Sequence, residues 1–268
     1  MIRIKCSPWF LEGPRWGCAR LRLICFPYAG VGASAYRLWS RELPPDMEIA
    51  AIQPPGRESR FAEPAYRRID QLAKDVIDPL LPYLDRPFAV FGHSMGAMVA
   101  TEFVAALARR GAPMPVHLFV SARRALHLPD PDSPLGSLSD TEFIAEIQRR
   151  YGGIPAEVLG DRELLQLLLP GLRADIEAIE SYVMSEGLQV RCPLSVFGGA
   201  QDPRASRTQL EAWRELTERP PALRIFEGDH FYLTAQRQAL LAEIVRSLRP
   251  AIAEERAPVT QALLSSCS

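Results

Sequence analysis

Six short apolar runs rich in β-branched and aromatic residues, at 21–26, 48–52, 88–92, 116–122, 194–198 and 223–226, alternate with longer segments of helical period. That alternation constrains the chain more than any other feature: it predicts an α/β domain, a mostly parallel central sheet flanked by helices. Helices are predicted over 69–84, 95–110, 206–217 and 233–248. The first five runs each end in small, polar or proline residues, as expected of the C-terminal ends of parallel strands. Those are the ends at which open α/β sheets carry their chemistry.

One stretch breaks the alternation. About seventy residues between Ala122 and Leu194 carry only helical signals, too many for a crossover helix. Ser139 with Glu142 three positions on fits a capping box, opening a helix to Arg150 that stops at Gly152 and Gly153. Two further helices are predicted over 162–169 and 173–186. The whole is expected to be a helical lid at about 124–190, inserted in a single domain spanning 1–253, with 254–268 as a flexible tail.

Composition bounds the function. Of 268 residues, 47% are hydrophobic, enough to bury a large core. Basic and acidic side chains nearly cancel, 31 against 32, so no global field is expected to hold nucleic acid or an anionic membrane. No stretch of about 18 apolar residues could span a bilayer, and Pro8, Glu12 and Pro14 interrupt any signal-peptide run near the N-terminus. The five cysteines, Cys6, Cys18, Cys25, Cys192 and Cys267, include no Cys-x-x-Cys pair. Neither a disulfide framework nor a zinc site is indicated, no cofactor is expected, and a reducing cytoplasm is the expected location.

The sharpest local signal is Gly92-His93-Ser94-Met95-Gly96, which follows the run Phe88-Ala89-Val90-Phe91 and opens the helix at 95. Strand, Gly-x-Ser-x-Gly and helix in that order form the nucleophile elbow of an α/β-hydrolase fold, where side chains at the flanking positions would collide with neighbouring backbone. A serine hydroxyl needs a base, usually a histidine held by a carboxylate. Of four histidines, His93 lies inside the elbow, His117 begins a strand and His127 stands at the lid entrance. His230, in Gly228-Asp229-His230-Phe231 after the last run, is left as the base. Asp202, in the loop after 194–198, has the chain order and position of the acid. Asp229, adjacent to His230, is poorly placed to reach its Nδ1 and reads as structural. The oxyanion hole is expected to combine the Met95 N–H with one from Phe26-Pro27-Tyr28-Ala29-Gly30-Val31-Gly32, Ala29 first and Tyr28 as the alternative. Apolar lid residues, among them Phe143, Ile147, Leu165 and Leu168, are expected to line an acyl pocket.

At these residues the chain resembles the stand-alone type II thioesterases of nonribosomal peptide and polyketide synthesis. The matching pieces are Phe26-Pro27-Tyr28-Ala29-Gly30, Pro54-Pro55-Gly56-Arg57-Glu58, the elbow with Ala97, Leu138-Ser139-Asp140-Thr141-Glu142-Phe143 and Gly228-Asp229-His230-Phe231. Together they cover about 21–248. The resemblance implies an editing enzyme that hydrolyses unproductive acyl groups from the phosphopantetheine arm of carrier proteins. It implies Ser94 as nucleophile, His230 as base then acid, Asp202 as orienting carboxylate and Met95 as oxyanion donor. Tyr28 departs from the family, which more often has histidine there.

Carrier proteins tend to be acidic, so docking is expected at local basic residues near the sheet's active edge: Arg57 and Arg60, with Arg123 and Arg124. A small-ester hydrolase or lipase would use the same triad, and a binding protein on a hydrolase scaffold would have no need of it.

Overall fold

The computed structural model describes residues 7–10 and 19–254; the expected tail beyond 254 lies outside the described residues, as do Cys6, Cys18 and Cys267. Among the described residues six strands appear in chain order, β1 (Leu21–Phe26), β2 (Met47–Ala51), β3 (Phe88–His93), β4 (His117–Ser121), β5 (Leu194–Gly199) and β6 (Ala222–Phe226). They form one sheet in the order β2-β1-β3-β4-β5-β6, every pair parallel. β1, β3 and β5 are buried along their whole length, because helices cover both faces of a parallel sheet. Each run read from the sequence corresponds to one strand, with ends shifted by a residue or so.

The helices follow as α1 (Ile69–Asp75), α2 (Ile77–Leu80), α3 (Met95–Arg110), α4 (Asp140–Tyr151), α5 (Ala156–Leu159), α6 (Arg162–Glu180), α7 (Arg207–Glu211), α8 (Tyr232–Ala235) and α9 (Arg237–Glu254). α3 is buried from Met95 through Leu107, which makes it the central helix against the sheet. It ends on Gly111 in the left-handed region, φ 62°, with Arg109 and Arg110 in its last turn.

Four helical expectations need correction. The helix expected over 206–217 is a short α-helix, α7, followed by a 3₁₀ turn over Ala212–Leu216. The single helix over 69–84 is broken at Val76 and finishes in a 3₁₀ turn. Pro79 and Pro82 each lack the N–H that a continuous helix would use. The 233–248 segment starts as a short turn at Tyr232 and resumes at Arg237. In the lid, the two helices expected over 162–169 and 173–186 are one helix, α6, running through Pro170. The proline costs one backbone bond, and the adjacent Gly171 lets α6 approach another segment: a Cβ there would lie 3.2 Å from the Gly56 carbonyl. Tertiary contact overrides the local breaker.

The rest of the lid follows its sequence signals. Ser139 and Glu142 form the reciprocal capping box of α4. α4 then stops at Gly152 and Gly153, both with positive φ. Gly153 is needed for space as well, since a Cβ would come within 2.1 Å of the Phe231 ring. At its far end the lid is tied to α3 by the buried Glu102, which accepts hydrogen bonds from Tyr182 Oη at 2.8 Å and Ser185 Oγ at 2.8 Å.

Candidate active site

β3 delivers Ser94 into a sharp turn at φ 53° and ψ −115°, a left-handed conformation that L-residues seldom adopt. The flanking glycines make this turn possible. A Cβ on Gly92 would sit 2.1 Å from the Gly96 carbonyl oxygen, and one on Gly96 would sit 2.2 Å from that of Phe26. The Ser94 N–H is held by the Ser121 carbonyl at 2.8 Å, fastening the elbow to β4.

Ser94, His230 and Asp202 come from three separate loops into one hydrogen-bonded chain. His230 Nε2 lies 2.9 Å from Ser94 Oγ, and His230 Nδ1 lies 3.0 Å from Asp202 Oδ2. With Asp202 ionised, Nδ1–H donates to the carboxylate and Nε2 is left to accept the serine proton. The other Asp202 oxygen accepts the Arg204 N–H at 2.8 Å, which fixes the carboxylate's rotation. All three side chains are buried, so their charges and hydrogen bonds act with little screening by water.

The loops bearing the acid and the histidine are laced together. Ala200 N–H donates to Phe226, Gln201 N–H to Gly228, and Gly228 N–H to Gln201 Oε1 at 2.7 Å. Gly199 permits the approach, because a Cβ there would meet the Asp229 carbonyl at 2.3 Å. Asp229 itself is exposed and accepts the Phe231 N–H at 2.9 Å. It turns the loop rather than touching the imidazole.

The other histidines lie off this chain. His93 is fully buried beside His230, its Nδ1 2.8 Å from Ser121 Oγ, which in turn lies 2.6 Å from Tyr232 Oη. Burial holds it well below the usual histidine range, and His230 adds to the effect, so it serves as a neutral buttress. His117 stacks on Phe119 and pairs with Ser195 Oγ at 2.9 Å. Burial brings it down to about 4. His127 meets Glu215 at 3.1 Å.

These depressed values predict acid sensitivity. The unfolded chain protonates histidine near its ordinary pKa of about 6.5, whereas folded His117 resists until about 4. Between those values the unfolded state binds more protons, so stability is full above about pH 6.5 and is lost as pH falls towards 4. Thermal unfolding of the wild type should shift downward across that window, and His117→Gln should flatten the slope. An unchanged slope in the variant would refute the assignment.

A mainly apolar cavity of about 310 Å³ opens on Ser94 and His230. Its lining includes Tyr28 and Ala29 from the loop after β1, and Ile147, Leu165 and Leu168 from the lid. Phe143 requires correction: it lies outside this cavity, deeply buried, with the Arg173 guanidinium 4.3 Å over its ring. α4 instead presents Ile144, Ile147 and Tyr151, spaced three and four apart on one face. The larger groove lined by Phe143, about 510 Å³, lies between α4 and α6 and contains none of the three chain residues.

Two residues packed at the site lie outside the sequence expectations. Tyr151 packs edge-on against His230, ring centroids 5.4 Å apart, and Arg204 caps the tyrosine ring. Its signal was a place on the same helical face as Ile144 and Ile147. Asp175, a buried carboxylate among the apolar residues of α6, was the other.

The expected docking arginines are mostly interior. Arg57 makes a bidentate pair with Asp175, at 2.6 and 2.7 Å. Arg124 pairs with Asp130 at 2.6 Å, and Arg123, its carbonyl bonded to Trp213, is buried. Arg60 is partly buried, lies over Trp9 and pairs with Glu63. Arg57, Arg60 and Arg124 are engaged by carboxylates and Arg123 is buried, so none is a free basic surface for a carrier protein.

Met95 stands at the first helical position of α3, where the backbone N–H has no intrahelical acceptor. Serine, imidazole, carboxylate and a helix N-terminus in this geometry can carry out acyl transfer through a covalent serine intermediate.

The thioesterase-domain family model matches residues 21–248. The gramicidin S biosynthesis protein GrsT of Aneurinibacillus migulanus is 38% identical over 247 residues, covering 92% of this chain and 96% of that protein. The solved structure of the RedJ thioesterase from the prodiginine pathway of Streptomyces coelicolor is 40% identical, with a TM-score of 0.79, covering 86% of this chain and 87% of the other. YbtT, the type II thioesterase of the yersiniabactin pathway, is 34% identical with a TM-score of 0.79, covering 89% and 97%.

Proposed function

The chain belongs to the thioesterase-domain family, and from that premise we propose that it is a stand-alone type II thioesterase that removes aberrant or stalled acyl groups from carrier proteins of nonribosomal peptide or polyketide synthesis. The observation that carries the reading is the Ser94–His230–Asp202 chain opening into an apolar cavity. We read the chain as one α/β-hydrolase domain over 1–253, with 124–190 as its lid.

In this reading Ser94 Oγ attacks the thioester carbonyl while His230 Nε2 takes its proton. The developing oxyanion is held by the Met95 N–H and by one from the loop after β1, Ala29 or Tyr28. Collapse of the tetrahedral intermediate breaks the carbon–sulfur bond, and His230 returns the proton to the departing pantetheine thiolate. A water activated by His230 then hydrolyses the acyl-enzyme. Asp202 keeps the imidazole in the productive tautomer throughout.

The cavity, about 310 Å³, supports short to medium acyl groups, being near the low end of small-ligand sites. The near-neutral charge favours neither nucleic acid nor an anionic membrane as partner. Among the described residues no helix is long and apolar enough to cross a membrane, and Cys25 and Cys192 are free thiols, which suits a cytoplasmic enzyme.

The deciding experiment is hydrolysis of a panel of acyl groups loaded on carrier protein, beside the same acyl groups as free esters. Preference for the carrier-bound thioesters is expected; equal or better turnover of free esters would favour a general esterase. In the same panel Leu165→Ala should shift the ratio of kcat/KM between longer and shorter acyl groups by about tenfold, with Ser94 labelling intact. An unchanged acyl profile with lowered thermal stability would make Leu165 structural only.

A further inference from the structure

The loop from Phe26 to Gly32, which carries the second oxyanion donor in the reading above, is fastened by charged side chains that the reaction does not otherwise use. Gly30 N–H donates to Asp175 Oδ2 at 2.8 Å, and Gly30 has φ 81°. The same oxygen accepts Arg57 Nη1 at 2.6 Å, while Asp175 Oδ1 accepts Arg57 Nη2 at 2.7 Å. Arg57 also reaches the Val31 carbonyl at 3.4 Å and the Pro55 carbonyl at 3.3 Å. The neighbouring Glu58, itself at φ 47°, accepts Gly32 N–H at 2.9 Å and Ser34 Oγ at 2.5 Å.

We infer that the buried Arg57–Asp175 pair is a positioning device for the oxyanion hole, holding the Gly30 amide so that the preceding peptide faces the acyl carbonyl. Three features support it. The Gly30 N–H is committed to Asp175 and the Gly32 N–H to Glu58, so neither is the loop's donor, while Ala29 and Tyr28 line the cavity beside Ser94. Asp175 is buried in α6 between Leu172 and Ile176, which line that same cavity, so one carboxylate links the acyl wall to the oxyanion loop. The geometry also uses the carboxylate fully: one oxygen serves both an amide and a guanidinium, and the other completes the planar fork. A lysine at 57 could keep the charge but not the fork. An asparagine at 175 would turn an NH₂ towards one of these donors.

The inference rests on the thioesterase reading and on Ser94 as nucleophile, and its test separates the two. Full-length Asp175→Asn and Arg57→Lys are compared with the wild type using a small free acyl thioester and an alkyl trifluoromethyl ketone. The ketone forms a reversible adduct with Ser94 Oγ, leaving its carbonyl oxygen as an oxyanion. Each variant is expected to lower kcat by about 10- to 100-fold, less than the loss on deleting an oxyanion donor outright, with KM within about threefold. Ketone affinity should weaken by the same factor as kcat/KM. A merely structural role would lower thermal stability and leave kcat and ketone affinity unchanged, and that result overturns the inference; so does a loss confined to KM. If Asp175→Asn does not fold, Arg57→Lys decides on the same readouts, and failure of both to fold assigns the pair to stability. Wild-type enzyme indifferent to the ketone would instead overturn Ser94 as nucleophile, and this inference with it.

Discussion

Ser94→Ala is expected to abolish labelling by a serine-directed fluorophosphonate and to lower thioester turnover by at least about a thousandfold. The size follows from the chain of hydrogen bonds: without Oγ, His230 has no proton to take and no covalent intermediate can form. The fold should survive. Alanine keeps the Cβ that serine already places in the positive-φ turn, so the variant inherits the existing backbone strain and adds none. Purified Ser94→Ala enzyme with unchanged thermal unfolding and no turnover is the expected pair of observations. Near-normal turnover would end the serine mechanism.

The second large effect is expected at the carboxylate, where two neighbouring candidates must behave differently. Asp202→Asn should cost up to about 10⁴-fold in kcat, as seen when a triad aspartate is replaced by its amide. The asparagine can still accept the Arg204 N–H at one position. Its NH₂, turned to His230 Nδ1, would force the imidazole proton onto Nε2, which then cannot accept from Ser94. Asp229→Asn should stay within about twofold of wild type, because an exposed asparagine can keep the turn bond to the Phe231 N–H. Steady-state kinetics of the two variants on one thioester decides the matter. A severe loss at Asp229 with a mild one at Asp202 would reverse the assignment of the acid.

Local sequence determined the elements whose causes are local. The six strands, α3 with its Gly111 stop, and the Ser139–Glu142 cap were legible because apolar period, glycine conformation and capping chemistry act over a few residues. The elbow was legible for the same reason: the two glycines on which a Cβ would meet neighbouring carbonyl oxygens at 2.1 and 2.2 Å lie within two positions of Ser94. Even the juxtaposition of Ser94, Asp202 and His230 could be read ahead of the structure, since parallel strands deliver their C-terminal loops to one edge in a fixed chain order. Tertiary structure decided what depends on partners far apart in the chain. Arg57 was open to reading as a docking residue until Asp175, 118 positions away, took its guanidinium into the interior. Pro170 read as a helix end until packing carried α6 through it, and Phe143 read as a pocket residue until the rotation of α4 turned it to Arg173 and Ile144 to the cavity. The physical reason is common to all three. Backbone preference and periodicity are properties of a few adjacent residues, whereas which face is buried, and which charge meets which, is settled by the energy of contacts that exist only once the chain has folded.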